Sequence, residues 1–231
     1  MRQKHVLITG GNKGIGLETT KLFLALDYNV TVIARDPSTL DGLQCQFIPF
    51  DLREIKKIKQ LISEIDTVDI LVNNAGIMNT FGYENYAENA KNDLLKINLE
   101  APVELITCIA QSMIKQKSGR IINNCSIAGH IGHPDIWYGI SKAGLLNATK
   151  SFAKQLGPHS ILVNAVASSP VNTEMLSTIP NARKEAFLKS VYTGRFANPE
   201  EIAKTILWLG TESPEYINGS CIDINDGSFQ R

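Results

Sequence analysis

The sequence predicts an α/β protein with a Rossmann-like, doubly wound parallel sheet of about seven strands and helices on both faces. Short β-branched runs alternate with longer segments of helical periodicity, which is typical of βαβ units. Several of these runs are apolar without alternation, as expected for parallel strands that are covered on both faces. With 231 residues and a hydrophobic content of 43%, the chain can bury one full core, so we expect a single domain, 1–231.

The pattern also places each element along the chain. Strands are predicted at residues 6–8, 30–33, 46–50, 69–72, 120–123, 161–164 and 221–224. Helical periodicity covers residues 16–26, 55–65, 94–116, 138–156 and 200–209. The connection over residues 34–46 is too short for a full crossover helix, so we expect a loop or a single helical turn there.

Composition excludes several classes of protein. The 23 basic and 23 acidic residues balance without blocks, which argues against a nucleic-acid partner and against a membrane-surface helix. No stretch approaches the roughly 20 apolar residues of a membrane span, and the first apolar run is too short for a signal peptide. The four cysteines have neither the spacing of a metal site nor a nearby paired histidine. We therefore expect a cytoplasmic protein without a disulfide framework and without a metal.

A glycine-rich turn follows the first predicted strand and opens the first predicted helix. Gly10, Gly14 and Gly16 occupy this turn. Glycine lets the backbone turn sharply and approach a pyrophosphate, and the helix N-terminus offers unpaired N–H groups to phosphate oxygens. The turn therefore predicts a dinucleotide site.

Two cations bear on which dinucleotide is bound. In a dinucleotide fold the second strand ends beside the adenosine ribose, where an acidic residue accepts a hydrogen bond from the 2′-hydroxyl of NAD. Here Arg35 stands at that position, with Lys13 in the glycine turn, and both suit a 2′-phosphate. The pair favours NADP(H) over NAD(H), although Asp36 could take the acidic role.

A tyrosine and a lysine four residues apart indicate proton-transfer chemistry. On a helix, Tyr138 and Lys142 project from one face, twelve and sixteen residues after Ser126. Tyrosine ordinarily has a pKa of ~10, and a cationic neighbour favours its ionised form. Alone, such a pair is common on solvated helices. Together with the glycine turn, it indicates an enzyme that transfers a hydride between nicotinamide and a carbonyl or alcohol.

With these residues in hand, the chain resembles the short-chain dehydrogenase/reductase superfamily over nearly its whole length. The matching motifs are Thr9-Gly10-x-x-x-Gly14-x-Gly16, Asn73-Asn74-Ala75-Gly76, Asn98, Ser126 and Tyr138-x-x-x-Lys142. Within the superfamily it is most similar to 3-oxoacyl-[acyl-carrier-protein] reductase-type members. This similarity rests on segments 164–166, 194–196, 199–203 and 217–219.

The resemblance implies roles for individual residues. The catalytic tetrad would be Asn98, Ser126, Tyr138 and Lys142, with Tyr138 as general acid/base and Asn98 holding a water that relays protons to Lys142. The cofactor would contact Gly10, Asn12, Lys13, Gly14, Ile15, Gly16, Arg35, Asp51, Leu52, Asn74, Ala75, Gly76, Tyr138, Lys142, Val171 and Thr173. Where the family commonly has Pro-Gly, this chain has Ser168-Ser169, which would crowd the nicotinamide.

The substrate is less well defined by the sequence. A 3-oxoacyl thioester is one expectation, and sugars, steroids and other small ketones are alternatives, as is a non-catalytic dinucleotide-sensing scaffold. An acidic acyl carrier would require a basic patch, for which Lys115, Lys117 and Arg120 are the candidates. Residues 174–196 would form either a mobile substrate lid or two packed helices. The resemblance also implies a homo-oligomer, either a tetramer or a dimer.

Overall fold

The computed structural model describes residues 2–37 and 39–230. Among these residues, seven strands form a single parallel sheet in the order β3-β2-β1-β4-β5-β6-β7. The strands are β1 His5–Thr9, β2 Asn29–Ala34, β3 Gln46–Pro49, β4 Ile70–Asn73, β5 Gly119–Asn124, β6 Ile161–Ser168 and β7 Cys221–Ile224. The predicted single-domain, doubly wound sheet is confirmed.

Helices cover both faces of this sheet. They are α1 Gly14–Ala25, α2 Ile58–Ser63, α3 Glu88–Leu95, α4 Ala101–Gln116, α5 Ile136–Leu156, α6 Glu174–Ser177, α7 Asn181–Leu188 and α8 Pro199–Thr211. The described part of the connection between β2 and β3 contains no helix, in agreement with the predicted loop. None of the helices in the described chain is both long and apolar enough to cross a bilayer.

The prediction of one helix over residues 94–116 was wrong in its boundaries. Helix α3 begins earlier, at Glu88, and a π-helical turn over Lys96–Glu100 separates it from α4. The sequence pattern did not reveal this turn because apolar spacing continues through it. Its central residue, Asn98, is fully buried, and π turns are frequently found at functional sites.

Alternate residues of the central strands fill the two largest hydrophobic cores. Leu7 and Leu71 face the core beneath α2, α4 and α5, whereas Val6, Ile8 and Val72 face the core beneath α1 and α8. All of these side chains have 0% exposure. Burying one such side chain contributes about 1.5–3 kcal/mol. The two cores fix the register of the strands. Because all of the pairings are parallel, the carboxyl ends of the strands lie at one edge of the sheet.

Helix α8 begins at a charged cap that makes stability depend on pH. Glu201 accepts hydrogen bonds from the Arg195 guanidinium and from the Asn198 backbone N–H. These contacts, Arg195 first, lower the pKa of Glu201 to about 2. The stabilisation is therefore complete above the carboxyl's ordinary pKa of 4.5, and it is lost as the pH falls through about 2.

We expect Glu201→Gln to lower the urea midpoint at pH 7, since it removes the charge from this cap. The difference from the parent protein should shrink at pH 3, where the unfolded carboxyl is already protonated. The matched control is Glu200→Gln, which removes a charge from the same first turn of α8 but breaks only an exposed ion pair with Lys204 and no bond to the cap. An equal decrease in the urea midpoint at pH 7 and at pH 3 would contradict this account.

Candidate active site

A cavity of about 760 Å³ runs along the carboxyl edge of the sheet. It lies where the connections from β1 and β4 leave in opposite directions, which is where open α/β sheets bind ligands. Segments that follow each of the seven strands line it, from Gly10 after β1 to Ser228 after β7. Its walls include nearly all the predicted cofactor contacts: Gly10, Asn12, Lys13, Gly14, Ile15, Arg35, Asp51, Leu52, Asn74, Ala75, Gly76, Tyr138, Lys142, Val171 and Thr173.

The glycine turn has the geometry of a phosphate cradle. Gly10 and Gly14 adopt φ values of +63° and +49°, which disfavour any residue with a side chain. A Cβ on Gly14 would lie 3.0 Å from Thr173, so the turn meets the segment after β6 across the cavity. Helix α1 begins at Gly14 and directs its free N–H groups into this space. The residues present therefore fit a dinucleotide.

Gly16 differs from the other two glycines because it does not line the cavity. A Cβ at this position would lie 2.1 Å from the carbonyl oxygen of Gly10 and 2.5 Å from the Asn74 amide nitrogen. Gly16 therefore allows α1 to pack against the turn. Its position outside the cavity gives no support to the predicted direct contact with the cofactor.

Thr9 and Asn74 join the glycine turn to the end of β4. The Asn74 amide nitrogen donates to the carbonyl oxygens of Thr9 and Gly10, both at 3.1 Å. In return, the Thr9 hydroxyl accepts from the backbone N–H groups of Asn74 and Ala75. These four bonds hold the two walls of the cavity at a fixed distance.

The end of the cavity beside β2 carries the predicted phosphate-binding cations. Arg35 and Lys13 both line it. Lys13 also forms an exposed ion pair with Glu174 in α6, at 3.5 Å. The Asn12 side chain donates to the backbone oxygen of Asp36, so the glycine turn is tied to the end of β2.

Asp51, one of the predicted cofactor contacts, is bound to a neighbouring cation. The Arg53 guanidinium contacts its carboxylate and also reaches Asp93 at 2.9 Å. The hydrogen bond from Arg53 is the main cause of the lowered pKa of Asp51. Asp51 therefore stays ionised at this end of the cavity.

The opposite end of the cavity brings Tyr138, Lys142 and Ser126 together. Tyr138 and Lys142 lie one turn apart on α5, with exposed fractions of 9% and 4%, and the lysine Nζ is 5.7 Å from the centroid of the tyrosine ring. The Lys142 Nζ donates to the backbone oxygen of Asn124 at 2.8 Å, which fixes its position. Ser126 Oγ accepts from the Ala128 N–H at 3.2 Å, and the one acceptor of its own proton is the Ser168 oxygen at a long 3.4 Å, so this proton is available to a ligand.

Asn98 lies behind this group and does not line the cavity. Its amide both donates to the Ile77 oxygen and accepts from the Ile77 N–H, each at 2.8 Å, and it donates to Ser141 Oγ at 3.2 Å. A Cβ on Gly76 would lie 3.4 Å from Asn98 Oδ1 and 3.6 Å from Lys142 Nζ. The side chain of Asn98 therefore holds the backbone that passes over Lys142.

Asp135 was missed by the sequence reasoning. It caps the N-terminus of α5 and is 2% exposed, and its carboxylate accepts from the backbone N–H groups of Tyr138 and Asn79 and from the Tyr86 hydroxyl. It thereby orients the first turn of α5, which carries Tyr138. An aspartate directly before a helical pattern is an N-cap signal that could have identified it.

Ser168 and Ser169 are accommodated without backbone strain. They are 8% and 6% exposed, and neither has a positive φ. The Ser169 N–H donates to the Ile224 oxygen. Asn124, two residues before Ser126, is also buried, and its amide nitrogen donates to Asn74 Oδ1 at 2.9 Å.

Two further expectations concern residues outside this cavity. Arg120 does not belong to a basic patch, because its guanidinium donates to Leu209 and Ser213. The sequence showed no histidine near the cysteines, yet His130, Cys221 and Asp223 place their polar atoms within 4.8 Å of one another. Sequence spacing did not predict this polar cluster because β7 and the segment after β5 are distant along the chain.

Comparisons with known proteins agree with this geometry. A profile described as short chain dehydrogenase matches residues 4–184. The chain is 34% identical to a 3-oxoacyl-[acyl-carrier-protein] reductase FabG of Thermotoga maritima, with 97% of both proteins covered. Among solved structures, ElxO with NADP bound is 27% identical, with a TM-score of 0.89 and coverage of 98% of this chain and 99% of that one. A 4-hydroxyisoleucine dehydrogenase complexed with NADH is 25% identical, with a TM-score of 0.91 and coverage of 98% of each chain. The chain therefore belongs to the short chain dehydrogenase family.

Proposed function

We propose that this oxidoreductase reduces the ketone of 3-oxoacyl thioesters to a hydroxyl group and prefers NADPH to NADH. The observation that carries the proposal is the single cavity that joins the glycine turn to Tyr138 and Lys142. The name of the Thermotoga maritima relative supports the substrate class. Arg35 and Lys13 at the far end of the cavity support the 2′-phosphate.

The nicotinamide, once bound, supplies the hydride. The protein then has to stabilise the negative charge that develops on the substrate oxygen and deliver a proton to it. Ser126 Oγ donates a hydrogen bond to this oxygen, and the Tyr138 hydroxyl transfers its proton to it. Lys142 lies beside the resulting phenolate and stabilises it. The Asn124 carbonyl holds the Lys142 side chain in place, and Asn98 holds the backbone that passes over it.

Nucleotide titration tests the cofactor preference. We expect NADPH to bind at least about 10-fold more tightly than NADH, since two cations face the 2′-phosphate. Arg35→Gln should remove most of this preference by weakening NADPH binding alone. Lys4→Gln is the control, because Lys4 is exposed and precedes β1 at the other edge of the sheet. An unchanged NADPH:NADH ratio in Arg35→Gln would refute this role of Arg35.

Turnover of a 3-oxoacyl thioester, followed by the loss of NADPH absorbance, tests the substrate class. Acetoacetyl-CoA should be reduced faster than a neutral ketone of similar length. Reduction of neutral ketones alone would assign the protein to the small-ketone reductases. Tight NADPH binding with no turnover of any carbonyl would instead support a dinucleotide-sensing scaffold. The homo-oligomer stays a prediction.

A further inference from the structure

Helix α7 places a guanidinium in the wall of the cavity beside the proposed proton donor. Arg183 is half-buried and lines the cavity, and its Nη2 lies 2.6 Å from Nε2 of His133. The His133 ring in turn packs against the Tyr138 ring, with 5.0 Å between the centroids. Only one imidazole therefore separates this cation from the tyrosine.

The charge of Arg183 is not balanced by an ion pair within the described chain. In residues 2–37 and 39–230 no carboxylate oxygen lies within 4 Å of its guanidinium. Asp135 acts on Arg183 only at longer range, and its own oxygens already accept three hydrogen bonds. The His133 ring supplies no counter-charge either, because an imidazole is neutral or cationic, and burial, ahead of the nearby Arg183 charge, lowers its pKa.

The surroundings of Arg183 favour an anion with an apolar body. Met175, Leu176, Ile179 and Phe187 line the same side of the cavity. A partly desolvated cation is costly when it has no counter-ion, and a guanidinium can hold a carboxylate through two parallel hydrogen bonds. A carboxylate would therefore be bound strongly here, whereas a neutral ester of the same size would gain little.

We propose that Arg183 is a specificity-determining residue that pairs with a carboxylate of the substrate, so that the enzyme selects oxo acids over neutral ketones. This inference rests on the proposed ketone reduction at Tyr138, and it adds a free-acid substrate class to the thioesters. The reaction itself is unchanged: the ketone gains a hydride and a proton and becomes a hydroxy acid. Arg183 contributes binding energy and takes no part in the proton transfer.

The test compares matched substrates in the full-length protein with saturating NADPH. Acetoacetate and levulinate are each paired with their methyl ester, and kcat and KM are measured for all four. For at least one of the two pairs, the parent protein should prefer the acid over its methyl ester by about 10- to 100-fold in kcat/KM. Arg183→Gln should abolish this preference through a raised KM for the acid, while turnover of the ester changes little.

Two further variants separate charge recognition from a general disturbance of α7. Arg183→Lys should restore part of the preference, because it keeps the charge and loses the two-pronged geometry. Lys189→Gln removes an exposed cation at the end of the same helix and should leave both substrates unaffected. NADPH affinity should be the same in all three variants, which also shows that they are folded.

Binding of butyrate and of butyramide to the NADPH complex, measured by calorimetry, provides a readout without turnover. Butyrate should bind to the parent protein, and Arg183→Gln should weaken it by about 10-fold or more, while butyramide binding is indifferent to the substitution. The proposal is overturned if butyrate and butyramide bind alike, or if Arg183→Gln weakens acid and ester equally. Loss of turnover of every carbonyl, with selective butyrate binding retained, would instead contradict the proposed reductase function alone.

Discussion

Replacing Tyr138 by phenylalanine is expected to reduce turnover of any ketone by about 10²- to 10⁴-fold, the usual contribution of a positioned proton donor. The ring of Tyr138 is buried against His133, and phenylalanine keeps this packing because only the hydroxyl is removed. NADPH affinity should therefore stay close to that of the parent protein. The measurement is single-turnover oxidation of bound NADPH after mixing with the ketone.

The matched control for this variant is Tyr192→Phe, which removes a hydroxyl from an exposed tyrosine that does not line the cavity. Its turnover should match that of the parent protein. If Tyr138→Phe retained turnover within a few-fold of the parent protein, the proton would have to come from another group, and the assignment of Tyr138 as general acid would fail.

Gly16→Ala is expected to lower both the free energy of unfolding and the affinity for NADPH. Its Cβ would lie 2.1 Å from the Gly10 oxygen and 2.8 Å from the Gly10 carbonyl carbon, so the backbone of the turn must move. Overpacking of this kind typically costs about 1–3 kcal/mol in the free energy of unfolding. Because the displaced turn contains the proposed phosphate contacts, NADPH should also bind at least about 10-fold more weakly.

Gly82→Ala provides the control for this substitution. Gly82 has a φ of −70°, and a Cβ there would meet no atom within 4 Å. Its urea midpoint and its NADPH affinity should equal those of the parent protein or improve slightly, since alanine restricts the unfolded chain. Parent-like NADPH binding by Gly16→Ala would show that the turn can move without disturbing the cofactor site.

The sequence predicted the features that depend on local pattern. Apolar runs located the strands, and the glycine spacing located the turn before α1, because both signals come from residues adjacent along the chain. The spacing of Tyr138 and Lys142 predicted a shared helix face, and the structure confirms that both lie on α5 and line one cavity.

Features that depend on contacts between distant segments were not predictable in the same way. The π turn contains Asn98, whose side chain forms hydrogen bonds with the Ile77 backbone. The periodicity of the sequence does not predict such bonds between distant residues. The position of Lys142 is set by the backbone carbonyl of Asn124. Every residue has such a carbonyl, so the residue type at this position does not predict the bond. Arg183 looks like an ordinary cation of a polar helix until α7 is folded over His133.

The construction of the cavity from the ends of all seven strands has a consequence for the lifetime of the protein. A dinucleotide held there contacts segments that come together only when the whole sheet is intact, so it binds the native chain and not the unfolded one. Mass action then adds about 2.7 kcal/mol of protection at a ligand concentration 100 times the dissociation constant. Resistance to proteolysis should accordingly rise and fall with the supply of free nucleotide, and the abundance of this protein in a cell would follow that supply.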